Sequence, residues 1–427
     1  MNKLPKNKVI IISYFYPPAN FVGGERVASW FKYLSRHDIY PIIITRNWNE
    51  NQTDLVDKLE NNSLIIEESE FGEIHRLPFK RSLRDKCSKF SILKPLQKLL
   101  TLVELIFSNY SNYFLPYNNF YPYTKRIIEN SSDITTIIVS GRPFQSFSIG
   151  YRLKKHYPNL KWIPDYRDEW NTHQNSTNSF NSIFNKIITN IESKSEIKWT
   201  SNSDYFIAVS EPWQKSIQNL IKKDGVVIKN GYKRLSTEIN KPKINKVKII
   251  YAGTMYHSQP INIFIEGIKN YKNEFDIDVH FIGTETVKKV DAYLKKITED
   301  HQDIFIFHKR MNSKGLENIA SDADLFLLTG FENVKGWYPV KLFDYYSKGK
   351  PILLIPSDNG VIEEFIIKTN SGYIVNNEIQ LHKLLNEIIL KKKNNISIPY
   401  EPNKKEGEIF SREYQSKILA EFLNNIQ

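Results

Sequence analysis

"GWYPVKLFDYYSKGKPILLI", residues 336–355, joins a short helical segment to a buried strand. Pro339 suits the first helical position, where its missing N–H costs nothing. Val340 and Lys341 then offer free amides, and Asp344 follows one turn later. Gly349, Lys350 and Pro351 end the helix before the apolar run 351–356. A helix that feeds straight into an apolar strand is one piece of a βαβ unit, the repeat of a parallel sheet covered by helices.

The same alternation runs outward in both directions. Toward the C-terminal side of residue 246, strands are expected at 247–254, 278–285, 303–310, 324–330 and 351–356, with helices at 260–270, 313–321 and 339–348. Before residue 233 they are expected at 8–15, 40–47, 135–141, 161–168, 204–211 and 225–232, with a helix near 24–35. The lysine-rich stretch 233–246 reads as a linker. The fold class is therefore α/β, with two Rossmann-like doubly wound domains in tandem. The expected boundaries are 1–235, 236–407 and an amphipathic helix at 408–427 that could cross back to the first domain.

At 427 residues with 25% charged and 41% apolar side chains, the chain fits two soluble domains. A single cysteine, Cys87, excludes an internal disulfide framework and a Cys-rich metal site, which suits a reducing cytoplasm. The first apolar run is short and meets Pro17-Pro18, so it reads as a strand rather than a signal peptide. No run approaches the ~18 apolar residues of a membrane span. The net charge of +12 gathers partly at 78–100, where basic and apolar residues interleave. With the aromatic stretch after it, 78–123 reads as an insertion suited to an anionic membrane face. Nucleic acid, or a solvated helix face with no partner, are the other readings of that charge.

In open parallel sheets, ligands sit outside the carboxyl ends of the strands. The loops there supply the candidates. Gly23 and Gly24 open a helix after the first strand, so backbone can approach a phosphate or sugar closely; a turn shaped only for packing is the alternative. No GxGxxG fingerprint or ribose-binding acid accompanies them, which argues against a dinucleotide cofactor. Arg142, Asp165, Arg167 and Asp168 cluster after later strands, as sugar or anion ligands or as a structural Arg–Asp pair. In the second half, Gly253 and Thr254 follow one strand and Arg310 follows another. Lys341 with Asp344 would hold diphosphate and ribose at one helix start, unless they form an ordinary surface pair. The acids of "DAD" at 322–324 precede their strand, at the wrong end for a metal-dependent transferase.

Taken in order, "SYFYPPANFVGGERVASWFKYL", "SGRPFQSFSIGYRL", "IPDYRDEW", "YFIAVSEPWQKSI", "IKNGY", "YAGTMY", "DADLFLL" and "YPVKLFDYYSKGKPIL" resemble glycosyltransferases of family 4. The resemblance implies the GT-B architecture, with two domains facing a cleft. It implies retaining, metal-independent transfer from a nucleotide-diphosphate sugar to a glycan or lipid-linked acceptor, in surface polysaccharide synthesis. No cofactor is required, nucleic acid is not a partner, and the expected location is the cytoplasm or the inner face of its membrane.

By the same resemblance Gly23, Gly24, Gly253, Thr254, Arg310, Val340, Lys341 and Asp344 bind the donor. Lys341, Asp165 and Arg167 serve catalysis, while Arg142, Asp165 and Asp168 hold the acceptor. Two features depart from the family pattern. Gly336 stands where the first acid of E-x7-E belongs, with Glu332 out of register, and "GTMYHSQP" offers His257 in place of a basic pair. A nucleotide-sugar epimerase, a non-catalytic sugar or nucleotide binder and a basic nucleic-acid-binding protein are the rival functions.

Overall fold

The computed structural model describes residues 7–19, 22–49, 60–87, 90–115, 117–172, 183–236, 246–271, 276–331, 334, 336–396, 398 and 400–426. The chain divides into two compact units, one of residues 1–229 with 412–427 and one of 230–411. The divisions fall at Lys229/Asn230 and Ser411/Arg412, a few residues from the expected boundaries. Most of the lysine-rich linker, 237–245, lies outside the described residues, as does Glu332.

The first unit holds an eight-stranded sheet made of β1 (Asn7–Ser13), β2 (Ile39–Arg46), β3 (Ile65–Ser69), β4 (Gly72–Leu77), β5 (Ile134–Gly141), β6 (Lys161–Tyr166), β7 (Phe206–Ala208) and β8 (Gly225–Val227). Its spatial order is β3-β4-β2-β1-β5-β6-β7-β8. All pairs are parallel except β3 with β4. β1 is buried on both faces, which is why it reads as an unbroken Val-Ile run rather than an alternating one. The helix Val22–Leu34 covers one face with Val27, Trp30 and Leu34. Leu419, Ala420 and Leu423 of the helix Arg412–Asn425 join the same core cluster. Arg412 pairs with Glu25 at 2.8 Å to pin the two helices together.

The second unit holds a six-stranded parallel sheet of β9 (Lys246–Ala252), β10 (Asp276–Ile282), β11 (Phe305–His308), β12 (Leu325–Leu328), β13 (Ile352–Leu354) and β14 (Gly372–Ile374). Its order is β11-β10-β9-β12-β13-β14, so the chain reverses direction of winding at β9. Such a switch point leaves a crevice at the carboxyl ends of the neighbouring strands. The acids at the other end are structural. Asp324 is buried and bonded to Lys392 Nζ at 2.6 Å, and Asp322 takes Lys248 Nζ at 2.6 Å.

The stretch 78–123 lies between β4 and β5 and is largely helical, with segments at Leu83–Cys87 and Lys94–Ser108 and a further helix beginning at Phe120.

Candidate functional site

At the carboxyl end of β9 the backbone turns through Gly253, whose φ of +102° a side chain would rarely adopt. Its amide donates to the Ile282 carbonyl at 2.8 Å, tying β9 to the end of β10. There Gly283 repeats the device at φ +81°, and a Cβ on it would lie 3.6 Å from both Gly253 Cα and Arg310 Cβ. Gly253, Thr254, Gly283 and Arg310 are thus brought to one strand-end. Arg310 is exposed, and its amide donates to Glu285 Oε1 at 2.7 Å.

The helix Val340–Ser347 starts beside them. Pro339 is its N-cap, with extended backbone at ψ 139°, rather than its first helical residue as the sequence suggested. The difference costs nothing, because the cap's N–H also lies outside the helical hydrogen-bond ladder. Lys341 reaches from the second helical position across β9. Its Nζ donates to the Thr254 carbonyl at 2.6 Å and to the Tyr251 hydroxyl, and stands 3.9 Å from the Tyr251 ring centre. Burial pushes the ammonium down to about 7. Tyr251 Oη in turn donates to the Thr254 carbonyl at 3.0 Å and lies 3.2 Å from Gln259 Oε1, and Gln259 Nε2 donates to Thr329 Oγ1 at 2.8 Å. This row of polar groups fixes the lysine, and sequence reasoning missed its Tyr251, Gln259 and Thr329. Asp344 is exposed on the same helix.

Gly336 has φ +111°, so the position of the absent acid is one where backbone geometry favours glycine. Beside it Trp337 packs edge-on to Phe331 at 4.5 Å, with Tyr256 6.4 Å from each ring.

The first unit corrects several expectations. Asp165 is fully buried. Its Oδ1 accepts from Arg26 at 3.2 Å and its Oδ2 from Ser140 Oγ at 2.7 Å, so it is a core ion pair and not a sugar ligand. Arg167 is also engaged, donating Nη1 to the Gly23 carbonyl at 2.5 Å with Nε 4.0 Å from Asp168. Burial lowers its pKa, with Asp168 and Asp165 opposing the shift. A Cβ on Gly23 would meet Arg167 Nη1 at 2.0 Å, and one on Gly24 would meet Tyr16 Cα at 2.8 Å. These glycines permit close approach of Arg167 and of the Tyr16 backbone. Arg142 and Asp168 remain accessible, 3.5 Å apart, with Arg142 5.9 Å from the Phe144 ring centre.

Behind Phe144, Trp170 stacks at 4.9 Å, and two carboxylates follow. Glu196 is buried beside Tyr166 and accepts from Asn171 Nδ2 at 2.6 Å; burial raises its pKa to about 7. Glu192, one turn earlier on Ile183–Thr200, is raised for the same reason. Sequence reasoning passed over both. Two acids four apart among isoleucines and a tryptophan would have been the signal.

No family model and no curated protein matches the chain. Solved structures do. Sucrose-phosphate synthase of Thermosynechococcus elongatus superimposes with a TM-score of 0.65 at 13% identity, over 98% of this chain and 99% of that one. The HepE protein of Anabaena, crystallised with UDP and glucose, gives 0.58 at 11% identity over 98% and 100%. The lipopolysaccharide outer core galactosyltransferase WaaB gives 0.54 at 12% over 98% and 99%. The chain has the GT-B fold.

Proposed function

We propose that the chain is a retaining glycosyltransferase of family 4 type, moving a sugar from a nucleotide-diphosphate sugar to a glycan or lipid-linked acceptor of the cell surface. The position of Lys341 carries the reading. With no carboxylate of the described residues against it, this cation at a helix start and beside two glycine turns suits the negative charge that a diphosphate supplies. HepE, bound to UDP or UDP-glucose, and WaaB, named for lipopolysaccharide, support the donor and acceptor classes.

In this reading Lys341, with Arg310 and the Val340 and Lys341 amides, stabilises charge on the departing diphosphate. Asp344 accepts the ribose hydroxyls, and Arg142 with Asp168 holds the acceptor. The leaving phosphate oxygen takes the acceptor proton on the same face, so no protein nucleophile or metal is invoked. Thermal-shift screening of nucleotide sugars tests the donor class, since a bound donor raises the melting point by mass action. No shift with any uridine, guanosine, adenosine or thymidine diphosphate sugar at millimolar concentration would sink the reading.

One observation favours a second reading. Gly336 leaves the helix start without the family's first acid, which fits a binder that does not turn its ligand over. Product analysis with donor alone, and then with acceptor, separates the binder from a transferase and from an epimerase.

A further inference from the structure

The helix Lys94–Ser108 gathers Lys94, Gln97, Lys98, Thr101, Glu104 and Ser108 on one side and apolar residues on the other, yet only Leu105 and Ser108 are fully buried on it. An apolar helix face is ordinarily covered. Its outward stripe continues from the preceding turn: Ile92 is 85% exposed, Leu99 58% and Tyr110 77%, with Leu96 and Ile106 between them. These positions fall three, four or seven residues apart, so they share one face over about 27 Å.

A second helix, Ile183–Thr200, runs alongside. Lys98 Nζ lies 5.5 Å from the Phe184 ring, Asn109 Nδ2 donates to Ser195 Oγ at 2.8 Å, and Lys198 Nζ donates to the Asn109 carbonyl at 2.9 Å. The partners keep nearly the same sequence offset in all three contacts, so the helices are parallel and in register. The second helix adds exposed Ile183 and Ile187 at its start.

The charges on these segments are sorted by sign. Lys86, Lys94, Lys98, Lys186, Lys194 and Lys198 are exposed. The acids turn inward: Asp85 and Glu196 are buried, Glu104 pairs with Arg84 at 2.8 Å, and Glu192 is half-buried. Among the described residues of 83–113 and 183–200, no carboxylate is exposed.

We infer that this two-helix face docks on an anionic lipid bilayer, with the Ile92–Tyr110 stripe and Ile183 entering the headgroup boundary and the lysines meeting lipid phosphates. Apolar side chains flanked by lysine are the composition that lies in a membrane interface. No helix among the described residues is long and apolar enough to cross a membrane, so the contact is peripheral. A second copy of the chain is the poorer occupant, because a self-complementary interface would set lysine against lysine with no acid to answer. The inference stands apart from the transferase reading and requires no donor.

The test is co-sedimentation of the full chain with vesicles of phosphatidylglycerol and phosphatidylcholine in equal parts, against phosphatidylcholine alone. The mixed vesicles should bind the protein, and 0.5 M salt should weaken that binding several-fold. Leu99→Glu with Ile106→Glu should cut it at least about tenfold, with circular dichroism and melting temperature unchanged because both side chains are exposed. Lys94→Gln with Lys98→Gln should reduce it only on the anionic vesicles. Absence of binding at low salt overturns the proposal, as does binding that the Leu99/Ile106 variant leaves intact. Concentration-dependent dimerisation that this variant abolishes, without vesicle binding, assigns the face to a second copy instead.

Discussion

Lys341 Nζ stands over the Tyr251 ring and shares the Thr254 carbonyl with the Tyr251 hydroxyl. The ring face and two oxygens hold the cation in place, but none of them neutralises it. Among the described residues no carboxylate meets this ammonium, so the site suits an added negative charge.

Replacing Lys341 by Met should therefore separate stability from function. Turnover with the cognate donor should fall by about two to three orders of magnitude, the usual effect of losing one transition-state charge partner. The melting temperature should hold or rise, because a partly buried amine with no carboxylate partner among the described residues is replaced by an apolar chain of similar length. Steady-state kinetics and calorimetric melting on one preparation read both quantities. A near wild-type rate would remove the lysine from the chemistry.

The depressed pKa of Lys341 has a definite sign. The folded group titrates near 7 and the unfolded one near 10.5, so between these values the unfolded chain binds more protons. Stability should rise with pH across that window relative to Lys341→Met, and the two curves should run parallel below about pH 6. Donor binding should pull the amine back to its charged form. Isothermal titration near pH 8, in buffers of different ionisation enthalpy, should show proton uptake that the Met variant loses.

Glu196 behaves in the opposite sense. Its folded pKa of about 7 lies above the ordinary value of 4.5, so the native state holds the extra proton between them and stability falls as pH rises through that range. Glu196→Gln should remove this slope and stabilise the protein above pH 7, by on the order of 3 kcal/mol at most. Denaturant melts at pH 5 and pH 8 give the comparison; equal gains at both would show that ionisation is not the cause.

Asp165 should behave as a core residue. Asp165→Ala strands the Arg26 guanidinium and should cost about 3–5 kcal/mol of unfolding free energy. A variant that melts like the wild type but fails to transfer sugar would restore a catalytic role.

Placing the first acid of the E-x7-E pattern at 336 should not help. At φ +111°, Gly336→Glu is expected to cost about 1–2 kcal/mol in backbone strain. Activity should stay level or fall; a gain would mean that the turn can relax around the new side chain.

What could be read from the sequence was what has a period. Runs buried on both sides announced β1, β9 and β12 within about two residues at their starts. β3 went unnoticed because its apolar run, Leu64 to Ile66, is only three residues long and passes straight into Glu67, Glu68 and Ser69. At the candidate site, Lys341 was legible as a cation at a helix start, but its bond to Tyr251 spans 90 residues and has no local signature. The same distance problem misled the reading of Asp165. An acid at a strand's end suggests a ligand, and nothing near it in sequence tells of Arg26, 139 residues away.

The helix Arg412–Asn425 has a consequence for biogenesis. Leu419, Ala420 and Leu423 complete a core begun by β1 and Trp30, yet the ribosome reaches them only after making residues 230–411. The leading half of the polypeptide must wait, with an apolar face of its first helix open to chaperones, while the trailing half has all its parts and can fold ahead of it.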